Sequence, residues 1–182
     1  MRQYAKHVGP LHWASGCSGT ECPSWVTRAI SAALQRCNVD ITWVHRASAE
    51  IDEAKRAFIL HTGGRRDYFF FVDMGDMLKI EAVNACSEGT DPEPVDLVGL
   101  FLFVCGFSCT SVSGLNTSST KDVISQGADT ATGLTFRYVV RILQRWQPVM
   151  VVLENAPSCF QTFSELVPFI TPSDIATSDQ LR

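Results

Sequence analysis

Two apolar runs without alternation constrain this chain more than any other feature. Leu97–Phe107 is an unbroken run of eleven residues, and Val149–Leu153 is a second, shorter one. A strand with one solvated face alternates apolar and polar residues, so runs like these call for cover on both faces, as in a parallel sheet wrapped by helices. The longer run falls well short of the roughly 20 residues that cross a membrane. Between the two lie Phe136, Val139, Val140, Leu143 and Trp146, an apolar stripe at helical spacing that Pro148 ends. A buried strand, an amphipathic helix and another buried strand make a parallel crossover.

The rest of the chain repeats the alternation. Leu11–Ala14 reads as a short strand, and a helix follows from Pro23 to about Cys37 with the stripe Trp25, Ile30, Ala33 and Leu34. Ile41–Ala47 reads as a strand, Asp52–His61 as a helix ended by Gly63-Gly64, and Tyr68–Val72 as a strand of aromatics. Asp91-Pro92-Glu93-Pro94 reads as a loop. The expected architecture is a Rossmann-like, doubly wound α/β fold with a mainly parallel sheet and helices on both faces. We expect one domain over residues 1–170 and a frayed polar tail over 171–182, since 182 residues suit a single domain.

Charge and cysteines narrow the class. Fifteen Lys and Arg against 19 Asp and Glu give a net charge of −4, so no global basic field draws in nucleic acid. The seven cysteines are odd in number and irregular in spacing, which predicts free thiols in a reducing intracellular compartment rather than disulfides. No second cysteine pair or histidine cluster lies at zinc-finger spacing, so no metal site is expected. The N-terminus has no apolar signal-peptide core, and neither a membrane anchor nor a secretory route is expected.

In such sheets ligands sit beyond the carboxyl ends of the strands. Ser15-Gly16-Cys17-Ser18-Gly19-Thr20 follows the first strand, and its two glycines allow a tight turn and close backbone approach. Glu50, with Ile51 after it, follows the second strand, 31 residues past Gly19; an acid there can take both hydroxyls of a ribose. Asp73 follows the third strand, where it could reach the exocyclic amine of an adenine with Met74 against the ring. Each acid taken alone reads equally as a cap or a solvated loop residue. Together they predict a nucleoside cofactor. The loop lacks the GxGxxG diphosphate fingerprint, which favours S-adenosylmethionine over a nicotinamide dinucleotide.

The later strands carry candidate chemistry. From Leu97 to Thr120 no side chain is charged, and the apolar run opens into a Gly/Ser/Thr-rich loop containing Cys109. A cysteine there is a candidate nucleophile, or else a small hydrophobe. Glu154 and Asn155 directly follow the last apolar strand, and one helix separates them from Cys109, a spacing that fits a crossover bringing both into one pocket. A buried carboxyl at that place can stay protonated and donate to a ring nitrogen. Arg137, Arg141 and Arg145 form a stripe that reads as a solvated helix face.

These residues resemble the cytosine-C5 methyltransferase family. SGCSGTE resembles its first cofactor motif, AEIDEAKRAFI (Ala49–Ile59) its second and FVDMGDM (Phe71–Met77) its third. Ser108-Cys109-Thr110-Ser111-Val112-Ser113 resembles the Pro-Cys-x-x-Phe-Ser element with Ser108 in place of Pro, and Glu154-Asn155-Ala156 resembles Glu-Asn-Val. Cys105-Gly106-Phe107 offers a rival register; Ser113, four residues past Cys109, matches the family serine and favours Cys109. The resemblance implies methyl transfer from S-adenosylmethionine to C5 of cytosine through a covalent adduct of Cys109, with Glu154 on N3 and Ser113 and Asn155 shaping the pocket. DNA is the expected partner and RNA an alternative; the nucleus is the expected compartment in a eukaryote. Nothing after Glu154 resembles the family's later arginine motif, its target-recognition region or its final motif. A truncated core is therefore expected, and a catalytically inactive binding or regulatory fold is the other reading.

Overall fold

The computed structural model describes residues 6–63, 68–85, 91–108 and 131–155. The chain divides into two compact units, one of residues 1–107 and 135–154, the other of residues 108–134 and 155–182. In chain order the elements are β1 (Lys6–Gly16), α1 (Cys22–Gln35), β2 (Val39–Ala49), α2 (Glu53–Gly63), β3 (Phe69–Phe71), a 3-10 helix (Met74–Leu78), β4 (Glu81–Val83), β5 (Pro92–Pro94), β6 (Leu100–Gly106), α3 (Ala131–Trp146) and β7 (Met150–Glu154). All seven strands belong to the first unit.

Five of the strands form one parallel sheet in the order β3-β2-β1-β6-β7. This is the expected Rossmann-like α/β architecture. The chain steps outward from β1 through β2 to β3, then returns to the far side of β1 and steps outward again. Parallel crossovers are right-handed, so α1 and α2 lie on one face and α3 on the other. Ala14, Ala47, Phe70, Phe71 and Phe103 on the strands and Val139 and Ile142 on α3 have no exposed surface.

Register aligns the strand ends. Ala49 pairs with both Gly16 and Phe71, Gly16 pairs with Cys105, and Gly106 pairs with Glu154. All five strands thus finish along one edge. The strand order reverses between β1 and β6, the ligand position of doubly wound sheets.

Local chemistry sets the helix boundaries. Pro23 sits in the first turn of α1, where its missing N–H costs nothing. Asp52 caps α2, its Oδ1 accepting from Lys55 N at 3.0 Å. That bond holds the exposed Asp52 carboxyl below its usual range. Asp73 caps the 3-10 helix through Gly75 N at 2.6 Å.

Three expectations need correction. Pro92–Pro94 is not a loop: it pairs antiparallel with β4 in a two-stranded ribbon. Prolines donate nothing to a ladder and so disguise such a strand. On α1 the buried residue is Thr27, while Trp25 and Ile30 of the expected stripe are exposed. The sheet beneath α1 presents Trp13, Trp43 and His45, so small hydroxyl residues face it: Ser31 Oγ donates to Ile41 O at 3.4 Å. The apolar strand β7 is not covered on both faces, since Met150 and Val152 are about half exposed.

Candidate functional site

Gly16 ends β1 at a point where a side chain cannot fit. A Cβ there would strike Met74 Sδ and come within 3.2 Å of Cys105 Sγ. The chain then turns sharply. Cys17, Gly19 and Glu21 have φ of 52°, 58° and 61°, left-handed values that cost a residue other than glycine on the order of 1–3 kcal/mol. Three bonds hold the turn: Ser18 N donates to Ala49 O at 2.9 Å, Glu21 N to Ser18 O at 2.8 Å, and Gly19 N to Glu50 Oε2 at 2.6 Å. Thr20, at its crest, is exposed.

Glu50 follows β2 and is 5% exposed. Its second oxygen accepts from Asp52 N at 2.9 Å, and its own N–H donates to Phe71 O at 3.1 Å. The carboxylate is therefore fixed between the turn after β1 and the start of α2. Ile51 beside it is 72% exposed. Past β3, Asp73 combines its cap with a place at the same edge, and Met74 is buried against Gly16. The structure thus brings Ser15–Thr20, Glu50, Asp73 and Met74 to one edge of the sheet.

Sulfur chemistry is concentrated beneath the turn. A hydrogen bond between Cys17 and Cys105 holds the Cys17 thiol below its ordinary range, although burial and the nearby Glu50 and Asp73 carboxylates oppose the shift. The same bond, with burial, pushes Cys105 well above the ordinary range. Cys105 Sγ also lies 3.8 Å from Met74 Sδ. A buried thiol held in its protonated form is a poor nucleophile, which weighs against the register that uses Cys105.

Glu154 is the last residue of β7, and its Oε2 lies 3.2 Å from where a Cβ on Gly106 would stand. The expectation of a buried carboxyl is corrected here: Glu154 is exposed. Asn155 follows it in the second unit. Cys109 and Ser113 lie outside the described residues. Arg137, Arg141 and Arg145 are exposed as expected, and Arg145 also donates to Leu78 O and stacks on Trp146 at 4.7 Å.

No protein-family model matches the chain. A DNA (cytosine-5-)-methyltransferase, DMT5 of Cryptococcus neoformans, is 28% identical over 169 residues, covering 90% of this chain and 6% of that protein. The chain is thus similar over most of its length to a DNA cytosine-5-methyltransferase. It spans a small fraction of the length of the relative it matches.

The structure adds residues that the sequence reading passed over. Glu21 is 2% exposed, and its carboxylate accepts from Ser15 Oγ and Ser48 Oγ, each at 2.8 Å. His45 Nε2 lies 2.7 Å from Ser48 Oγ and 3.9 Å from Glu21 Oε1. The His45 ring stacks on Trp13 at 3.7 Å and on Tyr68 at 3.8 Å. These groups border a groove of about 500 Å³ between α1 and the sheet. The available signal was an acid two residues past Gly19, with serines at the ends of both adjoining strands.

Proposed function

We propose that this chain forms the cofactor-binding and catalytic core of a DNA cytosine-C5 methyltransferase that uses S-adenosylmethionine. The observation that carries this reading is Glu50, a buried carboxylate clamped by Gly19 N and Asp52 N at the end of β2. A carboxylate has about four acceptor sites, so two amides leave room for both hydroxyls of a ribose. Asp73 at the next strand end suits an exocyclic amine, and Ile51 and Met74 offer apolar contact to an adenine. The side-chain-free Gly16 and the turn to Thr20 suit the amino-acid end of the cofactor. When bound, S-adenosylmethionine supplies an electrophilic methyl group.

The chain's own residues would do the rest. Cys109, as thiolate, adds to C6 of the cytosine; the Sγ–C6 bond forms and the double-bond pair moves to C5, which becomes the nucleophile. Glu154 holds N3 and shares a proton with it as charge builds on the ring. Loss of the C5 proton to a base restores the double bond and expels the thiolate. Ser113 and Asn155 shape the pocket. A cytosine in a duplex must first be flipped out, at a cost of a few kcal/mol.

One observation favours a second reading, a methyltransferase fold that binds without catalysing: Glu154 is exposed rather than enclosed at the end of β7. Incubation with labelled cofactor and DNA containing 5-fluorocytosine separates the two. Catalysis predicts a covalent protein–DNA adduct that Cys109→Ser abolishes. Equal adduct in that variant overturns the assignment of the nucleophile, adduct on RNA alone moves the substrate to RNA, and cofactor binding without adduct selects the non-catalytic fold.

A further inference from the structure

Among the described residues Glu21 is the most buried carboxylate, at 2% exposure. An ionised carboxylate away from water needs donors. Ser15 and Ser48 each commit their single hydroxyl proton to it, one per oxygen. The two hydroxyls also lie 3.0 Å from each other. His45 Nε2 lies 2.7 Å from Ser48 Oγ. Ser18 Oγ stands 2.9 Å from Ser15 Oγ, donates to Ala49 O at 3.1 Å and accepts from Ala49 N at 3.3 Å. Two chains of hydrogen bonds therefore converge on one carboxylate. One runs through Ser15 and Ser18 to the end of β1 and the middle of the turn; the other runs through Ser48 and His45 to the end of β2. Ser15 and Ser48 are register partners, so Glu21 staples the two strand ends together. Its own backbone is left-handed, with φ 61°, which turns the side chain back beneath the loop instead of outward along α1.

We propose that Glu21 is a positioning residue for the loop after β1: it holds Ser18 and Gly19 where Gly19 N meets Glu50. That this loop receives S-adenosylmethionine rests on the function proposed above; the hold on the loop does not. Glu50 and Glu21 divide the work, Glu50 binding Gly19 N and Glu21 binding the serines at the two strand ends.

Glu21→Gln tests this. The amide is nearly isosteric but has one acceptor oxygen in place of two, so one serine loses its acceptor and the relay on that side must reverse. Hydrogen exchange on the cofactor-free chain should speed about tenfold at the Ser18 and Gly19 amides, the loss of one charge-assisted bond. Exchange at Val139–Leu143 of α3 should stay at the wild-type rate. Affinity for S-adenosylmethionine should fall by about the same factor. Unchanged exchange in the turn, or a uniform rise across turn and α3, overturns the proposal. Ser48→Ala cuts one relay only and gives the same local pattern should Glu21→Gln fail to fold. A loosened turn in a protein whose wild type binds no cofactor keeps the positioning role and removes the cofactor reading. An unaltered turn with normal cofactor binding does the reverse.

Discussion

At the residue scale the two thiols under the turn show how one neighbour sets reactivity. The hydrogen bond between Cys17 and Cys105 makes Cys17 ionise more readily than an ordinary thiol and Cys105 far less readily. A lowered folded-state value means that the Cys17 thiolate appears at lower pH as pH rises. Alkylation of the native chain by iodoacetamide, followed site by site by mass spectrometry, should therefore modify Cys17 with a midpoint below that of a free thiol and leave Cys105 unmodified. Cys105→Ala removes that bond and should shift the Cys17 midpoint upward. Cys105 reacting as fast as Cys17 would contradict this. Gly16, Glu50 and Asp73 were legible in the sequence because each stands directly after an apolar strand, where a small or acidic residue is conspicuous. Glu21, Ser48 and His45 were not. Their convergence depends on the register of β1 against β2, which shifts between Trp13 and Ala14. A one-residue shift changes which side chains share a face, and periodicity carries no sign of it.

At the element scale β3 shows how a short strand is completed. Phe69 and Phe71 face β2, and Phe70 turns its backbone to the other side, where no strand pairs with it in the sheet. Asn84 Oδ1 accepts from Phe70 N at 2.9 Å, and Ala85 N donates to Phe70 O at 2.7 Å. A side chain and one amide thus stand in for a neighbouring strand. Asn84→Ala leaves a part-buried N–H without that acceptor, which costs about 1–3 kcal/mol. Urea unfolding should show that loss, and Asn84→Asp, which keeps an acceptor oxygen, should recover most of it. Equal midpoints for wild type and Asn84→Ala would refute the role. The helices were readable from apolar spacing, but the inward face of α1 was not. Thr27 and Ser31 face the aromatic residues of the sheet across the groove, and hydrophobicity alone points to Trp25. The β4–β5 ribbon was hidden because two of its six residues are proline.

At the scale of the whole molecule, the unalternating runs at Leu97–Phe107 and Val149–Leu153 pointed to the parallel sheet that forms, although the second run is left half exposed. Parallel winding then fixes where a ligand can bind: every strand ends at one edge, and the order reverses between β1 and β6. Glu50 and the turn after β1 lie at that reversal, with Asp73 one strand further out. The central claim is that this edge binds S-adenosylmethionine through Glu50. Isothermal titration of the cofactor into the chain and into Glu50→Gln tests it most directly. The account predicts one site on the wild type and affinity at least about tenfold weaker in the variant, the loss expected when hydrogen bonds to a charged group are weakened. No binding to the wild type, or equal affinity in both proteins, would contradict it.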